Sequence, residues 1–440
     1  MSFDKRISLL AFSFLILTMK ALPQIPKKGD PFPPWQKGYL DLHHINTGRG
    51  SSAYYVFPDG TTLLFDAGEE DPTDARTLSP RNSIIRPNDS KRPYEWIASY
   101  INQVAPQERK PVINYAILSH FHEDHMGSWY EGAPRSAKGD YFLSGITGIG
   151  ELITIERLFD RGFPAYDIPY NMKGKEYEEA LKKTPGGEKY RKGMQNYFSF
   201  IGQREKEHLL NGNVHAGSRA QIALQYDQKS YTGFYVQNIK SNGMVWNGKD
   251  TGTFNIFPQM KPNDPTTYPS ENALSQGIVI KYGDFTYYTG GDIPGNVQYG
   301  QSSWMDVETP VSKSVGRVDI ATMDHHGNRD AVNENMIKNL QPRVWIEQSW
   351  SSDHPGHETL IRLTTPFLYN GPRDLFTTNM LQPNRDVIGP LIDKSYKSQQ
   401  GHILVRVLPG GKSYYVIILD DAVPTLVVKD VFGPYETSPK

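Results

Sequence analysis

No cysteine occurs in the 440 residues of this chain. Its absence excludes a disulfide framework, a lipid-anchored N-terminal cysteine, a thiol nucleophile and any thiolate metal ligand, so metal chemistry here has to use histidine and carboxylates. Neither sign of charge is in surplus: 47 Lys and Arg stand against 48 Asp and Glu, a formal net charge of −1. Phosphate backbones are bound by clustered Lys and Arg, so nucleic acid is not an expected partner. No apolar run reaches the roughly twenty residues that span a bilayer. The Gly-x-Ser-x-Gly turn of serine hydrolases and the Walker glycine loop are also missing. What remains is 38% apolar and 22% charged, the composition of a soluble globular protein long enough for one large domain or two.

The N-terminus begins with the charged cluster Asp4-Lys5-Arg6 and continues into the apolar run Ile7 to Met19. That order matches the n- and h-regions of a secretory signal. Residues 1–24 are therefore predicted to direct export, leaving a periplasmic or secreted protein with no stable membrane insertion; retention as an uncleaved anchor is the alternative. Residues 25–38 form a proline-rich connector, and one large domain is expected over 39–430.

Within that domain, Tyr39 to Ile45, Ser52 to Phe57 and Thr61 to Phe65 alternate as strands, with Pro58-Asp59-Gly60 as the turn between the last two. Pro93 to Val104 has helical spacing with proline at its start, and Val112 to Leu118 is the near-continuous apolar run of a buried strand. Residues 173–212 are polar and helical, broken at Pro185-Gly186-Gly187, and their interleaved Lys and Glu read as a solvated face. Further strands are predicted at Phe254 to Phe257, Gly277 to Lys281, Phe285 to Tyr288, Val318 to Met323, Val344 to Gln348, His402 to Leu408 and Tyr414 to Leu419. Helices fall at Val332 to Leu340 and His357 to Leu363. Strands and helices alternate in both halves, which favours an α/β architecture of two sheets covered by helices.

Directly after the buried strand stands Ser119-His120-Phe121-His122-Glu123-Asp124-His125-Met126-Gly127, an H-x-H-x-D-H pattern. In a loop leaving a strand, His120 and His122 can project toward one ion while Asp124 and His125 turn toward a second. Four ligand-type residues within six positions are not explained by core packing.

This pattern resembles the signature of the metallo-β-lactamase superfamily, and other segments follow that family's order. Leu64-Phe65-Asp66-Ala67-Gly68 is similar to its opening hairpin, Thr289-Gly290-Gly291-Asp292 to the strand end that supplies a bridging carboxylate, and Asp324-His325-His326-Gly327 to the segment with the last histidine ligand. Asn272, Ser275, the His325-His326-Gly327 triplet and His354-Pro355 further resemble the extracytoplasmic hydrolase domain of competence proteins and the phosphorylcholine esterases. The resemblance implies a four-layer αβ/βα sandwich, with residues of about 140–250 as an insertion rimming the site. It also implies two zinc ions, with manganese or iron as alternatives. The implied metal ligands are His120, His122, Asp124, His125, Asp292 and His326, with His325 as the alternative to His326.

Two positions depart from the family pattern: Ser51 stands where the branch carries aspartate, and only His208 and His215 are available for a further histidine ligand. His215 is read as a surface or core histidine. The implied reaction is hydrolysis, first of phosphoesters of a small molecule or surface polymer, by a hydroxide that bridges the two ions. Asp124 and Asp292 would act at the catalytic centre, Asp66 would orient ligands, and His354 or His325 would steady an oxyanion or protonate the leaving group. A lactone or β-lactam hydrolase, and a non-catalytic metal-binding protein, are the competing readings.

Overall fold

The computed structural model describes residues 25–261, 264–297 and 301–438, so the expected signal at 1–24 lies outside the described residues. Among the described residues, two nine-stranded mixed sheets carry the fold. Strands of the first are β1 (Leu40–His44), β2 (Ser52–Val56), β3 (Thr62–Ala67), β4 (Ile113–Ile117), β5 (Ile155–Asp160), β6 (Leu210–Asn213), β16 (His402–Val407), β17 (Ser413–Leu419) and β18 (Val428–Glu436). The second contains β7 (Phe234–Ser241), β8 (Met244–Trp246), β9 (Thr253–Asn255), β10 (Gly277–Tyr282), β11 (Phe285–Thr289), β12 (Ile320–Thr322), β13 (Val344–Glu347), β14 (Asp374–Thr377) and β15 (Tyr396–Ser398). Their spatial orders are β18-β17-β16-β1-β2-β3-β4-β5-β6 and β15-β14-β13-β12-β11-β10-β7-β8-β9. The helices are α1 (Pro93–Val104), α2 (Glu123–Met126), α3 (Gly145–Leu152), α4 (Lys175–Lys182), α5 (Gly187–Lys206), α6 (Glu308–Val315), α7 (Glu334–Leu340), α8 (His357–Thr364), α9 (Gln382–Ile388) and α10 (Pro390–Ser395).

Strand periodicity explains the layering. Successive side chains of a strand point to opposite faces, and here both faces are buried. Tyr55, Leu63 and Ile117 join Val236, Ile280, Tyr287 and Ile346 in the core between the sheets. Their neighbours Tyr54, Leu64 and Ala116 turn outward against α1, α3 and α5 through Ile97, Ile101, Ile149 and Phe200. On the far side, Tyr288, Ala321 and Trp345 pack on the second helical layer through Val311, Ile337 and Leu360. The result is a mixed α/β sandwich with helices outside both sheets. Across the β1–β16 pairing, Asp41 and Arg406 face one another in register and form a buried two-bond ion pair of 2.9 and 2.6 Å.

Several boundaries move for identifiable reasons. The helix expected from Val332 begins at Glu334, because Asn333 caps it by accepting the Met336 amide at 2.8 Å. Residues 173–212 split into α4, α5 and β6, with Gly186 left-handed (φ 76°) at the break. The segment 140–250, read as an insertion, contributes β5 and β6 to the first sheet and β7 and β8 to the second. Around these strands, residues 140–154 with α3, 161–209 with α4 and α5, and 214–233 stand outside the sheets. Among the described residues no helix is long and apolar enough to cross a membrane.

One buried acid predicts a pH effect on stability. Glu347, at the end of β13, is fully buried; its carboxyl accepts only from the Tyr396 hydroxyl, and Oε1 has no partner. Burial pushes its pKa up to about 8. An acid whose folded pKa is raised contributes stability that is complete below the unfolded value, near 4.3, and is lost as pH rises toward the folded one. Glu347→Gln is therefore expected to leave the melting temperature nearly unchanged at pH 4 and to raise it at pH 8, measured by calorimetry. An equal shift at both pH values would refute the assignment.

Candidate metal centre

The centre lies at the carboxyl ends of strands from both sheets. Asp66 ends β3, the H-x-H-x-D-H loop follows β4, Asp292 follows β11, His325 and His326 follow β12, and Gln348 follows β13. Because β3 and β4 are parallel, as are β11, β12 and β13, their outgoing loops open on one edge of the sandwich. Close backbone packing holds these loops together. The Ser51 amide donates to the Asp124 carbonyl at 2.8 Å, and any side chain at Gly68 would collide with that same carbonyl.

Two groups of ligand atoms result: Asp124, His125, Asp292 and His326, and beside them His120, His122 and Asp292. Asp292 is common to both. His125 Nε2 lies 3.0 Å from Asp292 Oδ1 and 3.3 Å from His326 Nε2, and His326 Nε2 lies 3.0 Å from Asp124 Oδ2. In the second group, His120 Nε2 approaches His122 Nδ1 at 3.0 Å and Asp292 Oδ2 at 3.7 Å. His325 also directs Nε2 toward Asp292 Oδ2, at 3.7 Å, and receives the Asn272 amide at 3.3 Å.

The ring nitrogens facing away from the centre are held by acceptors. His125 Nδ1 donates to Asp66 Oδ2 at 2.8 Å, His326 Nδ1 to the Gln348 carbonyl at 2.8 Å, and His325 Nδ1 to Asp330 Oδ1 at 2.6 Å. His120 Nδ1 donates to Ser119 Oγ at 3.0 Å, and that hydroxyl donates in turn to Asp66 Oδ2 at 2.7 Å. With each Nδ1 proton so placed, the Nε2 lone pairs of His120, His125, His325 and His326 all point inward, as a metal ligand set requires. Lone pairs 3.3 Å apart repel unless a cation lies between them. Asp292 Oδ1 is buried with no hydrogen-bond partner, a cost that a cation would remove. The donor set, all imidazole nitrogen and carboxylate oxygen, fits a divalent ion such as zinc.

Local backbone conformation serves this arrangement. Asp66, His325 and His326 adopt left-handed φ of 60°, 44° and 55°. Such residues cost about 1–3 kcal/mol each and are held where the surroundings over-determine them. Asp66 is fixed by the Ser119 amide at 2.6 Å besides the bonds already named.

Charge follows geometry. Burial lowers the affinity of His125 for a proton, but Asp292, Asp124 and Asp66 outweigh it and raise its pKa well above the usual histidine range; a cation bound at Nε2 would take the place of that proton. Burial, then the neighbouring His125, keeps His120 well below it. For Asp292, burial raises the pKa, while His125, His326 and His325 together depress it far below the ordinary carboxylate value. At the rim, burial and then Asp124 and Glu123 push Glu70 up to about 8. Lys189 of α5 partly compensates this acidity, bonding Glu123 at 2.9 Å and Asp71 at 3.0 Å.

Of the expected residues, His120, His122, Asp124, His125, Asp292 and His326 converge, and Asp66 stands behind them. His354 does not converge. It stacks on the outer face of His326 (centroids 4.6 Å apart, 20° between planes) and its Nδ1 faces the Trp350 and Ser351 amides. Burial, then His326, lowers its pKa to about 3, and its ring packs against His326. His208 and His215 are exposed and lie outside both ligand groups. Ser51 Oγ stands 3.3 Å from His326 Nδ1, behind the ligand instead of at the centre.

Other contributors were not anticipated. The Trp350 indole donates to Asp124 Oδ2 at 3.1 Å. Glu271, paired with buried Arg161, accepts the Phe121 amide at 2.8 Å between two ligand histidines. Lys240, fully buried, donates to the Ala273 and Ser275 carbonyls at 2.7 Å each and so anchors the segment 271–276. The Ser275 hydroxyl in turn accepts the Asp292 amide at 3.2 Å. A buried lysine within an otherwise strand-like run is the one sequence signal that would have marked this anchor. Its burial holds the Lys240 amine well below the ordinary lysine range.

His122→Ala is expected to remove metal from the three-donor position while leaving the Asp124, His125, Asp292 and His326 position loaded. Bound metal per chain, measured by elemental analysis, should fall to about half; a complete loss or no loss would contradict the division into two groups.

Comparison with protein-family models and with curated proteins found no match to this chain.

Proposed function

We propose that this chain is an exported hydrolase of the metallo-β-lactamase superfamily, holding two metal ions and cleaving phosphoester bonds. The observation that carries the reading is the convergence of His120, His122, Asp124, His125 and His326 around the shared carboxylate of Asp292. The order of those residues along the chain and the sandwich with its site at strand ends support the family; the phosphoester preference rests on the resemblance to the competence-protein and phosphorylcholine-esterase branch. Ions held there would activate water as a nucleophile and stabilise the attacking and leaving oxygens of an in-line displacement.

The chain's own residues do the positioning. Asp66 and Ser119 keep His120 and His125 in one orientation, the Trp350 indole fixes Asp124, and Asp292 is shared between the two ligand groups. His325 is partly exposed at the mouth, with Nδ1 bonded to Asp330 and Nε2 beside Asn272 and Asp292. On this reading His325, whose pKa is raised against its burial by Asp292 and Asp330 to about 9, would protonate the leaving oxygen when Nε2 carries a proton in place of the Asn272 contact.

The test is metal analysis of the purified chain followed by a panel of chromogenic phosphodiesters, phosphomonoesters, a lactone and a β-lactam. Metal-dependent turnover of a phosphodiester or monoester above the carbonyl substrates is the expected result. Turnover confined to the lactone or β-lactam would replace the phosphoester reading, and a correctly folded chain that takes up no metal would end the proposal.

A further inference from the structure

Beside the metal centre the protein exposes aromatic rings in a concave setting. Tyr170 lies between Tyr268, 4.6 Å away at 7° between ring planes, and Tyr177, 5.5 Å away at 23°. The three line a surface cleft of about 850 Å³, the size of a site for a small organic ligand. Tyr170 remains 41% exposed. Asn171, Lys175, Glu176 and Thr184 contribute amide, ammonium, carboxylate and hydroxyl groups to the same cleft.

This lining defines a ligand chemistry. Flat aromatic rings favour a partner with an apolar face, while the surrounding polar groups supply both donors and acceptors. Lys175 and Glu176 carry opposite charges, so the cleft does not select an ion. A neutral, polyhydroxylated ring meets all three conditions, with its C–H face against an outer ring of the stack that Tyr170 holds together and its hydroxyls at the polar rim.

The cleft is also tied to the centre. Tyr268 is four residues from Asn272, a span of at most about 14 Å, and Asn272 bonds His325. From the other wall, Tyr177 neighbours Tyr190, whose hydroxyl donates at 3.4 Å to Glu271, the residue holding the Phe121 amide.

We propose that this cleft is a subsite for a neutral saccharide unit of the substrate. That the saccharide belongs to a cleaved substrate rests on the phosphoester-hydrolase reading; that the cleft binds it does not. The experiment titrates the full mature chain, without added metal, with maltotriose, cellotriose and tri-N-acetylchitotriose, following tyrosine fluorescence, with adenosine as a flat non-saccharide control. At least one trisaccharide is expected to bind. Tyr170→Ala and Tyr268→Ala should each weaken that binding about tenfold while metal content stays at the wild-type level, which shows that the variants fold. Should either tyrosine variant misfold, Thr184→Ala at the rim serves instead and should also weaken binding. Absence of trisaccharide binding, binding indifferent to these substitutions, or binding of adenosine alone would overturn the proposal. In parallel, the wild-type chain is assayed on bis(p-nitrophenyl) phosphate and p-nitrophenyl phosphate. Tyrosine-dependent trisaccharide binding without metal-dependent hydrolysis of that diester or of p-nitrophenyl phosphate would leave the cleft assignment standing and remove the phosphoester reading.

Discussion

Asp292→Ala is expected to lose most of the bound metal and at least about 10³-fold in kcat/KM, roughly 4 kcal/mol of transition-state stabilisation. The expectation follows from position: Asp292 is the only residue shared by the two ligand groups, and its oxygens lie 3.0 Å from His125 Nε2 and 3.7 Å from His120 Nε2. Removing it also leaves imidazoles converging with less negative charge to balance a divalent ion, so both positions weaken together. Ser51→Ala and His215→Ala, which touch neither group's inner atoms, should keep most of the activity. Elemental analysis and steady-state kinetics on the three variants decide the matter. Full metal content with lost turnover would make Asp292 a reacting group without a structural share in metal binding, and preserved turnover would remove it from the centre.

The second large effect is expected at a residue that holds no metal in this scheme. Asp66→Ala deletes the acceptor that His125 uses directly and His120 uses through Ser119, and it strands the Ser119 amide in a buried site. Loss of such an outer partner lowers metal affinity by about 10–100-fold. The unsatisfied amide adds a stability cost of about 1–3 kcal/mol. Asp66→Asn, which tolerates the left-handed backbone at φ 60° and keeps one acceptor, should fall between the two. Chelator competition gives the affinities and denaturant unfolding the stabilities. Wild-type metal affinity in Asp66→Ala would show that the histidines are held by packing alone.

The elements that could be read from the chain are those whose burial is apolar. Val112 to Leu118 and Pro93 to Val104 announced β4 and α1 because their core-facing positions carry Ile, Tyr and Val at strand or helix spacing. β7 escaped because its buried positions include Gln237, Asn238 and Lys240, polar side chains whose hydrogen bonds run mostly to residues outside the strand. α3 escaped for a different reason: three of its eight residues are glycine, and it is kept helical by the Ser144 and Thr147 caps and by packing against α1. At the centre, the ligands were legible because ligation restricts residue type. Apart from Asp66, their supports were not, since a backbone carbonyl such as that of Gln348 or an indole such as Trp350 leaves no distinctive mark in sequence. His354, expected as a reacting group, packs on His326 outside both groups, a placement that pattern alone does not reveal.

The pairing of β1 with β16 carries a consequence for how the protein comes into being. Asp41 meets Arg406 across 365 residues of chain. During synthesis the first hairpins therefore exist for most of elongation with one edge open, the condition under which strands recruit wrong partners. The histidines of residues 120–125 are likewise present long before Asp292 and His326 arrive to complete their set. Long-range pairing of this kind is slow because the search precedes its reward. Maturation is thus governed from the far end of the polypeptide: the last strands close the first sheet, and the early histidines gain their full ligand set only when the second half has folded.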